Sequence, residues 1–123
     1  MNKTNHSQLY TEELKRLEEK YPPIQRPSVE SVARQMRGLK DRCQHLQRME
    51  DRYMEKNIKG KCTLETLANI CESLGACIKR FNDLQEHYNK SGFSVLACRN
   101  TDTAVPYKVE VYAPNGDGYL KVG

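Results

Sequence analysis

Residues 63–90, TLETLANICESLGACIKRFNDLQEHYNK, decide how the rest of the chain is read. Leu64, Leu67, Cys71, Leu74, Ile78, Phe81 and Tyr88 recur at alternating spacings of three and four, with one final gap of seven, which is the period of a helix with one apolar seam. Ile70, Cys77 and Leu84 make a second apolar row beside that seam, and Ala68 and Gly75 make a row of small residues on its other side. Thr63 is a natural N-cap, and Lys90-Ser91-Gly92 is a stop. A helix with two apolar flanks is a central element. One flank is expected against the preceding helix, and the other against the C-terminal strands, the first helix or another subunit.

Upstream, Val29, Val32, Met36, Leu39, Cys43, Leu46 and Tyr53 repeat the same spacing, so a helix is expected from Ser28, its cap, to about residue 57. Gly60 lies in the short turn between the two, which implies an antiparallel hairpin over residues 28–91. Before it, Pro22, Pro23 and Pro27 lack backbone donors and favour extended geometry, so residues 22–27 form a stiff connector. Tyr10, Leu14, Leu17 and Tyr21 mark a short amphipathic helix over 8–21, preceded by a disordered tail over 1–7.

Downstream of Gly92 the apolar period changes from 3.6 to two. Phe93, Val95 and Ala97 alternate with Ser94, Leu96 and Cys98, and Tyr107, Val109 and Val111 alternate with Lys108, Glu110 and Tyr112. The turn cluster Pro114-Asn115-Gly116-Asp117-Gly118 then predicts a return strand, Tyr119 to Val122. The expected fold is therefore α+β and mostly α: a short N-terminal helix, a long antiparallel helical hairpin, and a three-stranded antiparallel meander over 92–123. All 123 residues are read as a single domain.

Leu, Ile, Val and Phe supply only 24 of the 123 residues, about 20%, which is a thin supply for a core. A net charge of +4 is too small to make disorder the explanation, so the apolar residues must be used efficiently or shared with a partner chain. No apolar run approaches a membrane span, and MNKTNHSQ offers no signal-peptide core, so a cytoplasmic protein without a membrane partner is expected. Five cysteines without a CxxC pair, mostly at apolar-periodic positions, suit reduced thiols in a reducing compartment.

No residue pattern carries catalysis. Cys43 and His45 stand about 200° apart around a helix, so they do not converge on one ion, and no metal or other cofactor is expected. Cys62 lies near a helix start beside Lys59 and Lys61, but no histidine is placed next to it to act as a base. Glu12-Glu13 and Glu18-Glu19 are interspersed with lysines and read as a solvated face. Asn115-Gly116-Asp117-Gly118 lies between strands rather than before a helix, which opposes a phosphate loop, and it lacks the acidic residues of a calcium loop.

Surface charge is the remaining signal. Residues 1–60 carry 13 Lys and Arg against 9 Asp and Glu, whereas residues 61–123 carry 7 of each. Arg34, Arg37, Arg48 and Arg52 fall near one side of the second helix, where arginine forks suit a phosphate backbone. Against this, Arg37 with Asp41 and Arg48 with Asp51 have the spacing of simple intrahelical pairs. Tyr107, Tyr112 and Tyr119 suit base stacking, sheet packing or protein contact, and lie far along the chain from the basic residues.

The leading expectation is a non-enzymatic interaction protein, an adaptor, inhibitor or assembly factor, that self-associates through its helical hairpin. Ile70, Cys77, Leu84, Tyr112 and Tyr119 are the candidate partner-binding residues. The alternative is a nucleic-acid or phosphorylated small-ligand binding protein that uses Arg34, Arg37, Arg48 and Arg52.

Overall fold

The computed structural model describes residues 4–113, with side chains from Gln8 onward. It is mostly helical, with three helices, α1 (Thr4–Lys20), α2 (Val29–Ile58) and α3 (Leu64–Lys90), and a two-stranded antiparallel sheet, β1 (Ser94–Arg99) and β2 (Pro106–Tyr112). The proposed return strand over 119–122 and its turn lie outside the described residues. Among the described residues no helix is long and apolar enough to cross a membrane.

Helix ends follow local chemistry. Ser28 adopts extended backbone and its Oγ accepts from the Ser31 amide at 3.1 Å, while Ser31 Oγ accepts from the Ser28 amide at 2.9 Å, so two orphan donors are satisfied reciprocally. Thr63 Oγ1 accepts from the Thr66 amide at 3.2 Å and starts α3 in the same way. Gly60 takes a positive φ of 71° in the turn after α2, and Gly92 one of 103° after α3, conformations that cost glycine little. The first helix begins at Thr4 rather than after a tail ending at residue 7, because nothing in residues 4–7 is a helix breaker.

α2 and α3 lie against each other, and their paired residues run in opposite senses: Gln35 meets Tyr88, Cys43 meets Cys77, and Glu50 meets Cys71. α1 packs on α3, β2 on α2, and β1 on α3. One core joins Leu17 of α1, Val32, Met36, Leu39, Cys43 and Leu46 of α2, Leu74, Cys77, Phe81, Leu84 and Tyr88 of α3, and Val95, Val105, Val109 and Val111 around the sheet. The thin apolar supply is thus concentrated in one place.

The proline-rich connector is tied down by side chains from both long helices. Gln35 Nε2 donates to the Pro22 carbonyl at 2.7 Å, Arg80 Nη2 to the Tyr21 carbonyl at 2.7 Å, and the Ile24 amide to the Tyr88 hydroxyl at 3.1 Å. The Tyr88 hydroxyl in turn donates to Gln35 Oε1. These bonds supply the donors and acceptors that a proline-rich segment does not provide for itself.

Glu13 departs from the expected solvated face. It is buried between α1 and α2, accepting from Arg16 at 2.9 Å and from Nε and Nη2 of Arg42 at 3.4 Å. Its position one turn before Leu17 carries it onto the packed side of α1, where a cation must accompany it.

Candidate functional site

Burial stops well short of the connected ends of α2 and α3. The last buried residue on α2 is Leu46 and the first on α3 is Ile70, and none between them is buried. At 1.5 Å per residue, α2 continues for roughly 18 Å beyond Leu46. This distal segment still carries large apolar side chains. Ile58 is 80% exposed, Leu64 71% and Met54 45%, with Tyr53 and Leu67 half-buried beside them. The seam that α3 presents near Phe81 therefore runs on past the point where α1 and the sheet cover it, and leaves Leu64 and Cys71 in solvent.

Charges around this distal segment are unevenly divided. Arg52, Lys56, Lys59 and Lys61 occupy the end of α2 and the turn, whereas the start of α3 carries Glu65 and Glu72 and no cation before Lys79. Lys59 is engaged by Glu55 at 3.1 Å, and Lys56 stands over the Tyr53 ring at 4.7 Å.

The candidate partner-binding residues separate. Ile70, Cys77 and Leu84 are all buried within this chain, and Cys77 of this row faces α2, with its sulfur against Cys43 and the Leu39 carbonyl. Tyr112 is half-buried at the end of β2, with its hydroxyl donating to Glu110 at 3.1 Å. Tyr119 lies outside the described residues. The outer edge of β1 is partly occupied by α3, since Gln85 Nε2 donates to the Val95 carbonyl at 2.9 Å and Asn89 Oδ1 accepts from its amide at 2.7 Å.

The four candidate arginines remain together. Arg34, Arg37, Arg48 and Arg52 are exposed on the side of α2 away from its buried face, over roughly 27 Å at 1.5 Å per residue. None forms an ion pair or hydrogen bond with another described residue. The intrahelical pairs that their spacing allows are not made: Asp41 instead sits 3.4 Å from Lys40, and Asp51 accepts from Gln47 at 3.0 Å.

Beside Arg48, α2 and the β1–β2 connection enclose a groove of about 190 Å³ lined by Gln44, Gln47, Arg48, Asn100, Val105 and Tyr107. Tyr107 is brought there by a break in strand register. Cys98 pairs with Lys108 and Arg99 with Pro106, so Tyr107 has no partner across the ladder. Such a bulge bends the strand and re-aims its side chain. Regular alternation would put Tyr107 on the face of Val109 and Val111, which are buried, yet it is 55% exposed. The opposite wall is held by the loop, where Asn100 and Val105 bond backbone to backbone at 2.9 Å and Asn100 Oδ1 accepts from the Asp102 amide at 3.0 Å.

Cys43 and Cys77 face each other in the core with sulfurs 2.9 Å apart. The Cys43 contact and burial both push the Cys77 thiol far up, away from a reactive thiolate. Among the described residues no three His, Cys, Asp or Glu side chains come together in an arrangement that holds a metal ion. Compared with protein-family models, with curated proteins and with solved structures, the chain matches none.

Proposed function

We propose that the chain is a non-enzymatic interaction protein that pairs with a second copy of itself through the distal end of the antiparallel α2–α3 hairpin. The observation that carries this reading is the solvent exposure of Ile58, Leu64 and Met54 on a helical segment with no buried residue between Leu46 and Ile70. A cluster of large apolar side chains at one end of a molecule whose core is already small is a site of association. Charge favours a second copy as occupant. In a two-fold pairing the same patch serves both sides, so Arg52 and Lys61 of one copy approach Glu65 of the other.

Zero-length carbodiimide cross-linking of an equal mixture of unlabelled and ¹⁵N-labelled protein tests the arrangement. Mixed-isotope cross-links joining Lys61 to Glu65 are expected. Only same-isotope links would show that these residues meet within one copy and would remove the pairing.

A second reading, binding of nucleic acid or a phosphorylated ligand, is favoured by a separate observation: Arg34, Arg37, Arg48 and Arg52 are exposed and make no ion pair or hydrogen bond with another described residue. It predicts binding that weakens steeply with salt.

A further inference from the structure

The groove between α2 and the β1–β2 connection combines three features that serve no evident purpose in holding the fold together. Tyr107 is turned outward by the bulge, and among the described residues Arg48, which is exposed, has no ion-pair partner and Gln47 Oε1 has no donor. The Gln47 amide is held in place because its Nε2 donates to Glu50 at 2.9 Å and to Asp51 at 3.0 Å, which also occupies the nearest carboxylates. We propose that this groove seats one unstacked base of a single-stranded nucleic acid on the Tyr107 ring, with the neighbouring phosphate held by Arg48. The proposal rests on the second reading above, since the arginine row supplies the backbone contacts.

Each wall fits that ligand. An aromatic face stacks any base without regard to sequence, and the buried Val105 side chain gives an apolar floor. Gln44, Gln47 and Asn100 line the groove with amide side chains, the polar groups that a base edge requires. The guanidinium fork of Arg48 matches phosphate oxygens, and Arg52 follows one turn on. A concave site of about 190 Å³ is suited to a single base rather than to the side of a duplex, whose bases are stacked and paired. The row from Arg34 to Arg52 extends well beyond the groove, which favours a strand over a lone nucleotide.

Fluorescence anisotropy with a labelled 12-residue oligothymidylate at 50 mM and 200 mM salt tests the proposal, with adenosine monophosphate as a competitor. Wild type is expected to bind at low salt, Tyr107→Leu to weaken binding about tenfold or more, and Tyr107→Phe to retain it. The double variant Arg34→Ala/Arg37→Ala is expected to flatten the salt dependence while keeping the effect of Tyr107→Leu. Equal affinity of wild type and Tyr107→Leu would overturn the base site and leave the arginine row standing. No binding by wild type at 50 mM salt would remove both. Displacement of the labelled strand by adenosine monophosphate at the same concentration as by unlabelled oligothymidylate would overturn the strand as ligand. Tyr107 is exposed, and circular dichroism of each variant checks that the fold persists.

Discussion

Arg80, buried in α3, donates from Nη2 to the carbonyl of Tyr21 at 2.7 Å, and so fastens the end of α1 to the central helix across the connector. The same guanidinium keeps its Nε without a partner, so its contribution is concentrated in this one bond. Replacing it with a side chain of similar length but no donor leaves the Tyr21 carbonyl unsatisfied. Arg80→Met is expected to lower stability by about 1–2 kcal/mol in urea unfolding, with Arg80→Lys recovering part of the loss. A change below about 0.5 kcal/mol would show that water replaces the guanidinium without cost.

Tyr21 also lies across Gly38 of α2. A Cβ added at Gly38 would stand 2.9 Å from the Tyr21 hydroxyl oxygen and 3.0 Å from its ring, so the ring must move. Alanine in a helix interior is otherwise worth about 1 kcal/mol over glycine. Gly38→Ala is therefore expected to stabilise a Tyr21→Ala background by about that amount and to give less, or to destabilise, in wild type. A double-mutant cycle measures the difference, and additivity would contradict the contact.

Thiol reactivity should sort the five cysteines by environment. Cys98 is exposed, Cys62 is half-buried with its thiol donating to the Tyr53 carbonyl at 3.2 Å, and Cys43 and Cys77 are buried. With an aromatic disulfide reagent at pH 8, Cys98 is expected to react first, and Cys43 and Cys77 only on unfolding. Labelling of Cys43 in the native protein faster than global unfolding would contradict the packing.

Cys71 is exposed but should be slow. Partial burial, then the hydrogen bond to Glu50 at 2.8 Å and the charge of that carboxylate, hold its thiol up from 9.0 to about 11. At pH 8 this leaves roughly one molecule in a thousand as thiolate. Because the folded value is raised, first by burial and then by Glu50, this thiol leaves stability unchanged below pH 9 and lowers it as pH rises from 9 toward 11. Glu50→Gln is expected to accelerate alkylation of Cys71 at pH 8 while burial keeps it slower than a free thiol. An unchanged rate would place the cause elsewhere.

The helices were legible because capping residues and apolar period agree. Ser28 and Thr63 mark starts by side-chain chemistry, and Val32, Met36, Leu39, Cys43 and Leu46 fall on one side of α2 by spacing alone. How far each seam is covered was not legible. Leu64 and Cys71 share the period of Phe81 and Tyr88, and only the reach of α1 and the sheet leaves the first two in solvent. Ile70, Cys77 and Leu84, which resemble spare surface in sequence, are buried within the chain, with Cys77 turned onto Cys43 of α2. Tyr107 stands out in the sequence as an aromatic strand residue, but its exposure does not follow from alternation because a bulge breaks the period there, and its place beside Arg48 in the groove depends on β2 packing against α2. Glu13 was misplaced by a rule that treats acidic residues near lysines as solvated, whereas Arg42 reaches it from another helix.

Light scattering coupled to size exclusion, on wild type and on Ile58→Asp across a wide concentration range in moderate salt, tests the central claim most directly. The account predicts a wild-type mass near twice 14.2 kDa at high concentration and a monomeric Ile58→Asp with unchanged helical content. A wild type that stays at 14.2 kDa throughout, or an Ile58→Asp variant that dimerises as wild type does, would contradict it.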